Sequence, residues 1–388
     1  MIKLANRALN ISPSPTLSID AKAKKMASGG LDVVNFGVGE PDFDTPAHIK
    51  QAAVEAINKG MTKYTPVAGT DRLRSAIAKK LKEDNGLEYQ PSQIVVSAGA
   101  KHSLYNAFQV LCQEGDEVIL PAPYWVSYLE QIKLSGGVPI ILQTRASNGF
   151  KLTMEELESV MTRRTRLIVL NSPSNPTGSV YTRSELEALG EVLARQGVGI
   201  ISDEIYEKLV FDGWKHWSIG SFPGMKERTL TVNGVSKSYS MTGWRLGYVA
   251  GPRNLISAMA QLKYAITICT TSISQMAALE ALAGPQDSLE EVVRVYDDRR
   301  FAAMTHLDKL GMPYVVPRGA FYIFPDIRKY GMTSFDFCRF MLEKAQVMLF
   351  PGTAFGPGGE GFVRISLLSP TDKINEAFER IEKALEVL

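Results

Sequence analysis

Lys237 and Arg245 lie close together in "VSKSYSMTGWRLGY" (235–248), a stretch otherwise short of charge. A lone lysine after an apolar run is most often a solvated strand end. The other chemistry open to such an amine is Schiff-base formation. That requires a dry pocket and neighbouring cations, which lower the amine's pKa until it can attack a carbonyl. Arg245 offers such a charge, and its planar fork offers a grip for a phosphate. Gly243 and Gly247 flank Arg245 and are expected to permit a tight backbone path between it and the lysine.

A lysine that captures an aldehyde beside a phosphate grip suggests pyridoxal phosphate. That cofactor needs an acidic partner for its pyridine nitrogen, donors for its phosphate and something flat against its ring. "GIISDEIY" supplies Asp203, "SAGAKHSLYNAF" opens a helix on small residues where free N–H groups bind phosphate, "PAPYWVSY" supplies Trp125, and "NSPSNPTG" supplies Asn175 in a turn. Taken singly, Asp203 reads as a helix N-cap, "SAGAK" as an ordinary strand-to-helix turn, Trp125 as core or interface, and Asn175 as a turn former. All of them fall just past apolar runs, where ligands sit in open α/β sheets.

Those runs define the elements that must position the chemistry. "QIVVSAGA", "DEVILPAP", "VPIILQT", "TRLIVLNSP", "GVGIISDEIY" and "RTLTVNGVSK" read as strands alternating with helices from about residue 93 to 285. One of the helices, "TRSELEALGEVLARQG", opens on a capping box at Thr182 and Glu185. The pattern predicts an α/β fold, a mostly parallel sheet sandwiched by helices. From about residue 286 a long charged helix precedes "MPYVVP", "GAFYIFPDI", "VMLFPG" and "FVRISLL", read as strands of a smaller α+β domain with helices around 334–345 and 371–388. The expected division is 1–46 as an N-terminal arm and part of the small domain, 47–285 as the large cofactor-binding domain, and 286–388 as the small domain. At 388 residues, 45% hydrophobic and 22% charged, the chain has material for a substantial core. A net charge of +2 without a basic stripe argues against nucleic acid, and no apolar run is long enough for a membrane span. The basic run "KAKK" (22–25) reads as a solvated helix face. Cys112, Cys269 and Cys338 suggest no disulfide framework, and His48, His102, His216 and His306 show no metal-ligand spacing. No metal is expected, and a cytoplasmic location is.

The stretches "GVGEPDFDTP" (37–46), "KYTPVAGTDRLRSAIA" (63–78), "SAGAK" (97–101), "PYWVSY" (123–128), "NSPSNPTG" (171–178), "SDEIYEKL" (202–209), "SKSYSMTGWRLGY" (236–248), "GAFYIFPD" (319–326) and "VRIS" (363–366) span nearly the whole chain. In them the sequence resembles class I, fold-type I pyridoxal-phosphate aminotransferases, and within these the bacterial aspartate aminotransferase group. The resemblance implies that Lys237 bonds the cofactor covalently and carries the proton. It implies that Asp203 pairs with the pyridinium nitrogen, that Asn175 and Tyr206 bond the ring oxygen, and that Trp125 stacks on the ring. Ala100, the Lys101 backbone, Ser236 and Arg245 would hold the phosphate. Tyr64 would reach the neighbouring subunit's phosphate, which implies a homodimer with shared sites. Arg364 would clamp the substrate α-carboxylate, helped by the Gly39 backbone and Asn175.

The reaction expected is transfer of the amino group of L-aspartate to 2-oxoglutarate by ping-pong exchange. The Lys101 side chain would face the distal carboxylate; the alternative is that it serves only to close the phosphate turn. The nearest rival is an aromatic-amino-acid aminotransferase, followed by a carbon–sulfur lyase or cyclopropane-forming synthase and by a non-catalytic sensor. In "ISPSPT" (11–16), Ser12 stands just before Pro13, near where some relatives that accept prephenate carry a basic residue; that departure puts prephenate in doubt here, unless the other subunit contributes a basic residue instead.

Overall fold

A computed structural model describes residues 2–9, 11 and 17–388; residues 12–16 of "ISPSPT", Ser12 among them, lie outside the described residues. Near the N-terminus, β1 (Val34–Asn35) is short. The central sheet is built from β2 (Ile94–Ser97), β3 (Glu117–Ala122), β4 (Val138–Gln143), β5 (Thr165–Asn171), β6 (Gly199–Asp203), β7 (Thr229–Gly234) and β8 (Gly247–Ala250), in the order β2-β8-β7-β6-β5-β3-β4. β3 to β7 pair in parallel, and β8 runs antiparallel to both of its neighbours. Strands β2, β7 and β8 are buried along their whole length, as strands covered on both faces must be. Apolar clusters lie on the two faces: Val95, Leu104, Phe108 and Val232 belong to one, Ile168, Leu189, Val192 and Ile200 to another. The six predicted strands of this region are all present, and the Thr182–Glu185 capping box forms at the start of helix Arg183–Gln196. β8, inside the lysine motif, is an additional strand.

The C-terminal part differs more from expectation. β9 (Tyr322–Ile323), β10 (Val347–Met348), β11 (Phe350–Pro351) and β12 (Val363–Ser366) form a three-stranded sheet β11-β12-β9 and a parallel pair β1-β10. "MPYVVP" is not a strand: Pro313 and Pro317 lack the N–H groups a ladder needs, and the segment runs as irregular chain. "GAFYIFPDI" shortens to β9. Helices Asp287–Lys309, Ser334–Lys344 and Thr371–Leu385 cover these strands. Ile19, Ala23, Val34 and Phe36 pack into the same apolar cluster as Phe337, Val347, Ile365 and Phe378, so the chain's start and end share one core. Lys22, Lys24 and Lys25 are exposed on helix Leu17–Ser28.

Candidate active site

The parallel strands deliver their carboxyl ends to one edge. In register across it stand Asn171 opposite Asp203, and Ser97 and Gly234 each opposite Gly247. Beyond β7 the chain turns through 235–246 and re-enters the sheet as β8. Its tightest points are not at Gly243, around which an added Cβ meets nothing within 4 Å. They are at Ser240 and Arg245, both held at φ 52°. Gly247 is required, because a Cβ there would lie 2.3 Å from the Ala100 nitrogen. Gly99, at φ 84°, opens helix Ala100–Leu111, which no side chain caps; a Cβ on Gly99 would lie 2.6 Å from Arg245 Nη2. A helix N-terminus with free N–H groups is thus pressed against a guanidinium, with buried Ser236 lining the same space. That is an anion-binding corner.

The corner opens into a cavity of about 460 Å³ lined by Ala100, Lys101, Trp125, Asn175, Asp203, Tyr206, Ser236, Lys237, Arg245, Gly39 and Arg364. Lys237 Nζ donates to the Gly39 carbonyl at 2.6 Å. Its proton affinity is lowered to about 8, first by burial and then by the positive charges of Arg364 and Arg245, against the pull of Glu40 and Asp203. Asp203 is 3% exposed. Burial raises its pKa to about 6, although Tyr128 Oη donates to Oδ2 at 2.7 Å and the Ile205 N–H to Oδ1 at 3.2 Å. The Tyr206 hydroxyl meets that of Tyr322 at 3.1 Å. Lys101 lies with its ammonium 4.8 Å from the centre of the Trp125 ring, and burial and Arg245 both lower its proton affinity.

Across the cavity, buried Arg364 donates through Nη1 to Asn175 Oδ1 at 3.0 Å and through Nη2 to the Gly37 carbonyl at 2.6 Å. Its plane is walled by Tyr322, Phe355 and Phe350, 4.4, 4.9 and 5.2 Å from their ring centres. Among the described residues no carboxylate pairs with it, and its Nε has no partner. A buried guanidinium held only by neutral acceptors is a carboxylate receptor, because an unpaired buried charge is costly unless a ligand completes it.

Tyr64 is the one predicted residue that does not join this cavity; it is 82% exposed. Sequence reasoning missed Tyr128, Asn171, Tyr322, Thr242 and Glu40, all of which line the cavity. Tyr128 and Tyr322 sit in motifs quoted for other residues, and no local signal marks the direction of their hydroxyls. Behind Asp203, the Glu204, Glu207 and His216 ligand atoms come within 4.8 Å of one another, a grouping that could hold a metal ion. The Lys80 ammonium is hydrogen-bonded to Glu207 there and supplies the positive charge. Among the described residues no helix is long and apolar enough to cross a membrane.

A phosphate corner, a half-buried lysine of lowered proton affinity, an acid for a ring nitrogen and an empty-handed arginine fit pyridoxal phosphate and an α-carboxylate. The known proteins similar to this chain agree. It is 48% identical to an aspartate aminotransferase of Geobacillus stearothermophilus, with 99% of each chain covered. It superposes on the aspartate aminotransferase of Thermus thermophilus with maleate at a TM-score of 0.95, with 40% identity and coverage of 99% of this chain and 100% of that one. An aromatic aminotransferase from Pyrococcus horikoshii gives 0.91 at 43% identity, covering 94% and 99%. Residues 31–381 match the family described as aminotransferase class I and II, and the chain belongs to that family.

Proposed function

We propose that the protein is an aspartate aminotransferase that passes the amino group of L-aspartate to 2-oxoglutarate by ping-pong exchange, yielding oxaloacetate and L-glutamate. Pyridoxal phosphate is the cofactor. The observation that carries the reading is the convergence of Lys237, Asp203 and the carboxylate-free Arg364 in one cavity. When bound, the cofactor supplies an electron sink for negative charge developing at the substrate's α-carbon.

The chain's own residues do the rest. Arg364 and Asn175 take the α-carboxylate and so fix how the α-C–H bond points. Lys237 Nζ, with a proton affinity near 8, is available as a neutral amine in a useful fraction near neutral pH, and it accepts and returns the α-proton. Asp203 supplies the negative partner for a protonated ring nitrogen. Asn175 and Tyr206 serve the ring oxygen, and Trp125 covers the ring face. Ala100, the Lys101 backbone, Ser236 and Arg245 hold the phosphate. The Lys101 ammonium, at the cavity wall over Trp125, meets the distal carboxylate of a dicarboxylic substrate. Tyr64, exposed in one chain, completes the phosphate site of a second copy in a cytoplasmic homodimer. Residues 47–285 act as the cofactor-binding domain, with 286–388 and part of 1–46 as the smaller one.

A second reading, transamination of aromatic amino acids, is favoured by the apolar side chains of Leu104, Val126, Phe350 and Phe355 along the same cavity and by the aromatic aminotransferase among the solved relatives. Absorbance of the loaded protein before and after L-aspartate alone separates the two. The expected result is a near-visible band that bleaches as oxaloacetate appears. A band untouched by aspartate but bleached by phenylalanine or tyrosine selects the aromatic reading, and no band after reconstitution removes both.

A further inference from the structure

Asp203 is held in an unusual way for the group that must carry the negative charge of the site. Its backbone is pinned: the carbonyl accepts from Asn171 Nδ2 at 3.0 Å and from the Ser172 N–H at 3.3 Å. Rotation of its carboxylate is the freedom that remains. Of its two oxygens, Oδ1 takes the Ile205 N–H and Oδ2 takes the Tyr128 hydroxyl. Tyr128 is the second residue of helix Ser127–Leu134, is 1% exposed, and has Trp125 edge-on at 5.3 Å and 81°. Its ring therefore has nowhere to turn, and its hydroxyl has Asp203 as its only hydrogen-bond partner among the described residues.

We propose that Tyr128 is a positioning residue of this site, whose buried hydroxyl fixes the rotation of the Asp203 carboxylate and keeps it charged toward the cavity. Burial and the neighbouring Asp203 push the phenol's own pKa well up, so it stays a donor throughout the working range. The ionisable groups facing Asp203 are Tyr128 from its helix, Lys237 from the turn after β7, and Glu204 and Tyr206 from its own segment. Of these, Tyr128 is the one whose side chain donates to the carboxylate. Without that donor Asp203 binds its proton more tightly, and a ring nitrogen above it loses its ionic partner.

This inference rests on the role proposed for Asp203, and its test can fail separately. The loaded Tyr128→Phe protein is titrated and the pH midpoint of its near-visible band is recorded. A protonated ring nitrogen, conjugated through the ring, lowers the proton affinity of the nitrogen at Lys237. Weakening that protonation therefore raises the midpoint, by about one pH unit for the loss of one charge-assisted hydrogen bond. The same substitution in an Asp203→Asn background is expected to move the midpoint no further. A folded Tyr128→Phe protein with the wild-type midpoint overturns the inference, as does an equal shift in both backgrounds. If Tyr128→Phe does not fold, Tyr128→His decides, since it keeps a ring N–H donor: a midpoint within about half a unit of wild type supports the inference and a larger rise overturns it. A wild-type protein that shows no band at all overturns the inference together with the reading it rests on.

Discussion

Asp203 and Glu207 sit four residues apart in "SDEIYEKL", at 3% and 7% exposure, yet their proton affinities move in opposite directions. Burial raises both. For Glu207 the Lys80 ammonium, His216 and hydrogen bonds from Lys80 and Asn85 overcome it and hold the pKa near 2. For Asp203 a phenol, one N–H and the more distant Lys237 do not, and the pKa stands near 6. The glutamate network is closed: Asn85 donates to Glu207 at 2.6 Å and to Ser218 at 2.8 Å, Lys80 donates to Asn85 at 2.7 Å, and Ser202, Ser218 and His216 surround Glu204 at 2.5–3.0 Å. One face of a short segment is thus finished inside the protein, while the other leaves Asp203, Lys237 and Arg364 short of partners. Groups held in that condition gain most from a ligand that brings the missing charges, and that separates a functional cluster from a structural one of similar composition.

Each side of the comparison can be broken separately. Lys237→Ala is expected to lower the turnover of the loaded protein by roughly 10²–10⁴-fold, with thermal stability of the cofactor-free protein unchanged or higher. Single-turnover absorbance with L-aspartate and a melting curve measure the two. A variant that keeps near wild-type turnover would remove Lys237 as the proton carrier. Lys80→Met should do the reverse. It strands Glu207 in the interior, a loss of about 3–5 kcal/mol when one partner of a buried ion pair is removed, while turnover per folded molecule stays near wild type. Urea unfolding reads the first quantity and activity corrected for folded fraction the second. A Lys80→Met protein as stable as wild type would show that Glu207 has another counter-charge.

The unfinished face was the more legible of the two in the sequence. Lys237, Asp203, Asn175 and Trp125 stand at or just past strand ends and Arg245 in the turn between β7 and β8, so a strand-by-strand reading sufficed to place them at one edge. The sheet itself was legible wherever β-branched runs were long. β8 was not, because its four residues begin at Gly247 inside a motif whose lysine and arginine draw attention first. "MPYVVP" misled by composition: its valines favour a strand, and its prolines forbid the ladder. The tight path expected at Gly243 and Gly247 needs Gly247 for space, but its left-handed positions are Ser240 and Arg245, since glycine marks where such a backbone is easy rather than where it is needed. The Lys80–Asn85–Glu207 network left no trace, because Glu207 lies more than a hundred residues from Lys80 and Asn85 and each alone reads as a surface residue. The direction of the Tyr128 hydroxyl likewise depends on where its helix begins relative to β6, a tertiary fact.

The smallest effect tests the comparison most directly, in the cofactor-free protein. Asp203 has a folded pKa of about 6 against an ordinary 3.8. The unfolded chain therefore releases that proton first, and folding is penalised progressively as pH rises from about 4 to about 6, with the full penalty above. A shift of this size corresponds to about 3 kcal/mol. Asp203→Asn removes the charge but loses part of the hydrogen bonding, so a gain of about 1–2 kcal/mol at pH 7 is expected. That gain should shrink as pH falls and turn into a small loss by about pH 4, where only the lost hydrogen bonding remains. Glu207 has the opposite sign: its folded pKa is about 2 against 4.5, so its contribution is complete above about 4.5 and is lost as pH falls through 2. Glu207→Gln should therefore destabilise at neutral pH, by an amount that diminishes in acid. Melting temperatures of the two variants and wild type across pH 4–7 give two curves that diverge from one another with rising pH. If Asp203→Asn proved destabilising at pH 7 in the absence of cofactor, the Asp203 carboxylate would already be satisfied within the chain, and the contrast between the two faces of this segment would not hold.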